Sequence, residues 1–211
     1  MRLLICLLFL FAQFSILAQE EDYNDYRRKS ESFVRIYDKA LRADVASFAI
    51  GGIEESLSVP VLKKLPIRAY GSDFVQFDSA GIRVLIQSAV FDPSRHKLAF
   101  EAKRLVKIDN KPFFGNYFKV PTTRVSRLTV VLGKDTLAIP PSAIVDLYNP
   151  GFVFHDASGN LRSQDAVYLS ADKRRIYIYM LNKDDTGSYE VTWVIQDRAY
   201  LRRVLDFGFS N

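Results

Sequence analysis

The sequence predicts an α+β domain: an N-terminal amphipathic helix packed on a mainly antiparallel β-sheet, closing in a C-terminal four-stranded meander. Three observations carry this. An apolar stripe at steps of three and four lies near the N-terminus, where Phe33, Ile36, Tyr37, Ala40, Leu41, Val45 and Phe48 share one helical face. From about residue 65 the pattern changes to period two with regular turn punctuation. The last 45 or so residues hold four strand-like runs, AVYLS, RIYIYML, YEVTWVI and YLRRVLDFGF, joined by short loops.

The helix has Arg35, Asp38, Lys39 and Arg42 on its polar side. Ser30 or Ser32 is the expected cap, and Gly51-Gly52 the expected stop. The strands DFVQF and GIRVLIQSAVF follow, divided by DSAG. DPSRH turns into KLAFEA, and LVKI meets the turn DNKP. RLTVVL and DTLAI flank Gly133-Lys134, a two-residue hairpin loop with glycine first. Pro141 suits a first helical turn, and Asn149-Pro150-Gly151 ends it. In YEVTWVI, Tyr189, Val191, Trp193 and Ile195 form one apolar face, which Phe33 and Tyr37 of the helix are expected to cover. RIYIYML is apolar on both faces, as a central strand covered on two sides would be.

The N-terminus reads as an address rather than structure. Met1-Arg2, the apolar run from Leu3 to Leu17 and the small residue Ala18 are the three parts of a secretory signal peptide, and the run is short for a spanning helix. The expected organisation is residues 1–18 as signal peptide, 19–29 as a flexible mature N-terminus and 30–211 as a single domain. Two lobes meeting near 115–123 are the variant of that layout. The expected location is periplasmic or extracellular, with no transmembrane segment after cleavage. The only cysteine, Cys6, lies in the apolar run, so the mature chain would have no disulfide, thiol nucleophile or cysteine metal site.

Loss of Arg2 leaves 28 basic and 24 acidic side chains, a mild +4 against +5 for the whole chain. The basic residues come in short runs at 27–29, 63–64, 103–104, 173–175 and 202–203. Solvated strand and turn positions account for such runs, and a basic face toward a polyanion is the alternative. Export disfavours nucleic acid as the partner.

No assembled catalytic set is legible. NKDDTGSYE, residues 182–190, has Asn182, Asp184, Thr186 and Gly187 at the opening spacing of a calcium loop. It has Trp193 where the bidentate glutamate belongs and strands on both sides, so a hairpin turn is expected. The adjacent Asp184 and Asp185 diverge and do not suit glycoside cleavage. His96 and His155 sit beside turns without an acidic cluster, and Ser94-Arg95-His96-Lys97 lacks the companions of a penicillin-recognising site. No glycine-rich phosphate loop occurs, so neither a nucleotide nor any other cofactor is expected.

Two aromatic stretches near turns, KPFFGNYF and YNPGFVFH, supply the candidate interaction surface: Phe113, Phe114, Tyr117, Phe118, Tyr148, Phe152 and His155. Aromatic rings on loops stack on sugars, peptides or partner surfaces, although they also fill cores beneath loops. The expected function is that of an exported, non-enzymatic binding protein, partner-binding or inhibitor- or immunity-like, meeting another protein or an extracellular polymer. A hydrolase of envelope or extracellular polymers and a polyanion-binding module are the alternatives.

Overall fold

The structure, a computed structural model, describes residues 35–51, 62–116, 119–184 and 187–207. Among them are fifteen strands and a single α-helix, α1 (Lys39–Gly51). The first sheet has the order β1 (Lys63–Lys64), β12 (Ala166–Leu169), β13 (Arg175–Asp184), β14 (Gly187–Gln196) and β15 (Ala199–Phe207). The second has the order β2 (Ile67–Tyr70), β3 (Phe74–Ser79), β4 (Ile82–Val90), β8 (Thr123–Leu132) and β9 (Asp135–Thr136). A small sheet of β5 (Leu98–Glu101), β6 (Arg104–Ile108) and β7 (Lys111–Pro112) is inserted between β4 and β8, and β10 (Phe154–His155) pairs with β11 (Leu161–Arg162). Every ladder is antiparallel.

The two five-stranded sheets meet face to face in one core. Phe77, Val84, Ile86 and Val130 of the second sheet share it with Ile178, Met180, Val191 and Trp193 of the first. This arrangement corrects the expected α+β class. The layer opposite Trp193 is the second sheet, not the helix, and the described residues are mainly β with one short helix. Leu41 and Val45 of α1 instead touch Tyr177, Tyr179 and Val194 on the other face of the first sheet. Tyr37, assigned to the covering face, precedes the helix and is 87% exposed. Phe33 lies outside the described residues, as do Ser30 and Ser32.

The physical reason is a late helix start. Asp38 is the cap: its Oδ1 accepts the Leu41 amide at 3.0 Å and its carbonyl accepts that of Arg42. Its other oxygen meets Arg175 of β13 at 2.7 Å, which ties the first turn to the sheet. The Leu41 amide, with help from Arg175, holds the Asp38 carboxyl below its ordinary range. One short helix beginning there covers part of one sheet face. Burying both faces of β13, where residues 176–180 are all buried, requires the second sheet as well.

The turns explain the registers. Ile108 pairs with Lys111 and Gln196 with Ala199, leaving two-residue loops, and both central residues of each loop have positive φ. That is the turn whose twist matches antiparallel strands. Asp109-Asn110 tolerates it well, whereas Ala102-Lys103, between β5 and β6, adopts it without glycine. Gly133 has φ +66 with open space around it, so its backbone conformation, not crowding, calls for glycine. Asp184 pairs with Gly187, making the would-be calcium loop the tip of the β13–β14 hairpin; Asp185 and Thr186 lie outside the described residues.

Candidate functional site

The aromatic stretches fold inward. Phe114 and Leu147 form a parallel bridge, with the Phe114 amide donating to the Asp146 carbonyl and the Tyr148 amide to that of Phe114, each at 2.8 Å. This zipper carries the rings into the interior. Phe113, Phe114, Tyr148 and Phe152 are all 7% exposed or less. Phe91 and Phe113 meet Tyr148 edge-on at 5.1 and 6.0 Å, and Phe114 meets Phe207 at 5.3 Å. Burial pushes the Tyr148 hydroxyl up to about 12. Tyr117 and Phe118 lie outside the described residues. His155 is exposed on β10, apart from this cluster. Aromatic density beside turns therefore marks a join between loops and core.

His96 is held in place by Asp109. Its Nδ1 lies 2.6 Å from Asp109 Oδ2, and its ring stacks on Phe91 at 4.5 Å. The other Asp109 oxygen accepts the Lys97 amide, and hydrogen bonding to His96 keeps this carboxyl below its ordinary range. The Ser94 hydroxyl donates to Asp92 at 2.6 Å, which makes it part of a turn cap. These residues clamp the start of β5.

Among the described residues three carboxyls are buried, each in a different situation. Asp146 forms a two-pronged pair with Arg203, both contacts at 2.6 Å. Glu190 accepts from the Tyr179 hydroxyl at 2.7 Å. Asp165 is 1% exposed and neither oxygen completes a hydrogen bond among the described residues. Burial raises its pKa well above 3.8, and the nearby Leu181 amide offsets this only weakly. A raised carboxyl pKa favours the protonated acid in the fold. The stability it lends is full below about pH 4 and is lost as pH climbs toward the folded-state value. Asp165→Asn should thus raise the melting temperature near neutrality and leave it almost unchanged near pH 4. A thermal-melt series across pH checks this; equal shifts at both ends would mean that folding does not raise the pKa of this carboxyl.

The basic runs do not merge into one face. Alternation sends Arg202 and Arg203 to opposite sides of β15. Arg175 is bound by Asp38 and Gln196, and Arg174 is bound through two contacts of 2.7 Å by Asp197. Residues 27–29 lie outside the described residues.

What the turns do assemble is a cleft of about 600 Å³ at one end of the sandwich. Ile82 and Leu132 of the second sheet and Ile176 and Ile195 of the first make its floor. Lys173, Arg174 and Arg198 stand on its rim beside Asp197. The rim is braced. Arg198 reaches across to the second sheet, donating to Asp135 at 2.6 Å and to the Leu132 carbonyl at 3.2 Å. The Asp197 amide donates to the Arg174 carbonyl, and the Arg174 guanidinium holds the Asp197 carboxyl below its ordinary range. Lys173, at φ +60, has no ion pair among the described residues. Sequence reasoning missed this site because its parts lie on four separate turns. The signal available was a basic residue at three of them, Lys134, Lys173-Arg174 and Arg198, and a glycine at the fourth, Gly81.

Comparison with family models, with curated proteins and with solved structures finds no match. Among the described residues no group of three or more His, Cys, Asp or Glu side chains is placed to hold a metal ion, and no helix is long and apolar enough to cross a membrane.

Proposed function

We propose that this is an exported protein that works by binding, and that its partner is another protein offering an apolar side chain flanked by acidic groups. The observation that carries this reading is the end cleft. Its floor is aliphatic, its rim is cationic, and both are fixed by tight turns and ion pairs. Loops on a rigid sheet are the usual place for recognition, and pre-ordered side chains lose little entropy on binding. Lys173 supplies a charge with no ion pair among the described residues, while Arg174 and Arg198 are braced by single carboxylates and retain donors for a ligand.

Site-specific photo-crosslinking in the producing cell tests this. A crosslinker at Lys173 should give a discrete protein adduct that one at Ser158, on the exposed β10–β11 loop, does not. Arg198→Glu should reduce that adduct about tenfold or more. Identical adducts from both positions, or none from Lys173, would overturn the reading.

A further inference from the structure

The small sheet at the opposite end of the sandwich, together with residues 95–97 that lead into it, carries almost all of the net charge of the protein. Between residues 95 and 111 there are six basic side chains, Arg95, Lys97, Lys103, Arg104, Lys107 and Lys111, and two acidic ones, Glu101 and Asp109. That is +4, against +5 for the whole chain, so the other 194 residues contribute only +1 (23 basic, 22 acidic). All six cations are exposed. Arg95, Lys97, Lys103 and Lys107 have no ion pair among the described residues.

The cations stand on a rigid support. Phe91, Leu105, Ile108, Phe113 and Tyr148 form a separate core beneath β5–β7, and the His96–Asp109 contact clamps the entry. The support is also topped by an apolar group. Phe100, just before the Ala102-Lys103 turn, is 52% exposed. Val90, where the chain leaves β4 for this sheet, is 83% exposed, and Val120, on its way back to β8, is 36% exposed.

We infer that this sheet is a docking arm for a bilayer surface containing anionic phospholipid. Charge complementarity supplies the long-range attraction. Near an anionic leaflet each lysine or arginine is worth about 1 kcal/mol, roughly a fivefold change in partition, and the attraction falls off within a Debye length of about 8 Å at physiological salt. The exposed ring decides between a lipid surface and a soluble polyanion. A polyanion uses the cations and gives Phe100 no apolar environment. The headgroup–acyl boundary accepts both, with the ring entering the apolar edge while the ammonium groups stay among the phosphates.

The placement fits the cleft. β4 begins at Ile82 on the cleft floor and ends at Val90 at the base of the arm, so about 26 Å of strand separates them at 3.3 Å per residue. A protein lying on a membrane through the arm would hold the cleft away from the lipid, open to a partner.

Flotation with vesicles tests the arm independently of the cleft. The processed chain beginning at Gln19 is used, so that the apolar run 3–17 does not contribute. It should bind phosphatidylcholine vesicles containing about a third phosphatidylglycerol, bind pure phosphatidylcholine weakly or not at all, and lose binding as salt rises. Lys103→Ala with Lys107→Ala should lower the partition coefficient about 25-fold, and Phe100→Ser several-fold, with melting temperatures unchanged because all three sites are exposed. Lys173→Glu, in the cleft, should leave vesicle binding intact. Equal binding to neutral and anionic vesicles would overturn the proposal, as would indifference to the double lysine change. Binding to polyphosphate as tight as to vesicles, unaffected by Phe100→Ser in both cases, would assign the arm to soluble polyanions instead.

Discussion

Replacing Trp193 with alanine is expected to destabilise the protein by about 3–5 kcal/mol, the usual cost of emptying an aromatic core site. Trp193 is fully buried between the two sheets, with Val191 and Ile195 on the same face of β14. Its indole nitrogen also donates to the Ala143 carbonyl at 2.8 Å, so truncation leaves a buried acceptor short of a partner. For a chain of this size such a loss lowers the melting temperature by roughly 6–20 °C. Trp193→Phe separates the two contributions: it keeps most of the volume, loses the hydrogen bond, and should cost about 1–2 kcal/mol. Denaturant unfolding of both variants is the measurement. A loss below about 1 kcal/mol for the alanine variant would mean that the sheets close over the space.

The second large effect is expected at Arg203. Arg203→Met should cost about 3–5 kcal/mol, because it strands the Asp146 carboxylate without a counter-charge in a site only 3% exposed. The pair joins the 3-10 turn at Pro141–Ala143 to β15, and Arg203 also reaches the Ala143 carbonyl at 3.3 Å. The same carbonyl is bound by Trp193, so the two sites are coupled and their losses should not add. The double replacement Asp146→Leu with Arg203→Met is the informative control. It removes both desolvated charges and should recover most of the loss, since buried ion pairs rarely outperform well-packed apolar side chains. A double variant as unstable as Arg203→Met would show that the geometry of the pair, rather than the stranded charge, holds the turn in place.

Local readings survived where local physics sets the outcome. Alternation in YEVTWVI placed Trp193, Val191 and Ile195 together in the core, because side chains of a strand must alternate between faces. The doubly apolar RIYIYML became a central strand buried on both sides. Gly133-Lys134 closed a hairpin because a positive φ at the first loop position costs glycine nothing. The last four strands lie in sequence order because short loops leave neighbours no other pairing.

The layer that covers Trp193 was not legible. A helical stripe and a second sheet are equally apolar from the point of view of β14, and the choice depends on which surfaces meet when the chain closes. The same holds for the aromatic stretches. Phe114 and Tyr148 look like surface rings beside turns until the Phe114–Leu147 bridge brings two distant loops together and buries them. It holds also for the basic runs, which alternation and carboxylates on other elements divide between ion pairs and open rim. By itself, then, the sequence determined the long strands, their turns and which strand residues share a face, since these follow from backbone sterics and side-chain period over a few residues, whereas the helical stripe misplaced Tyr37. The tertiary structure alone decided the partner of each face, the burial of the candidate aromatics and the assembly of a cleft from four turns. Those depend on contacts between segments far apart in the chain, for which no local pattern carries a signal.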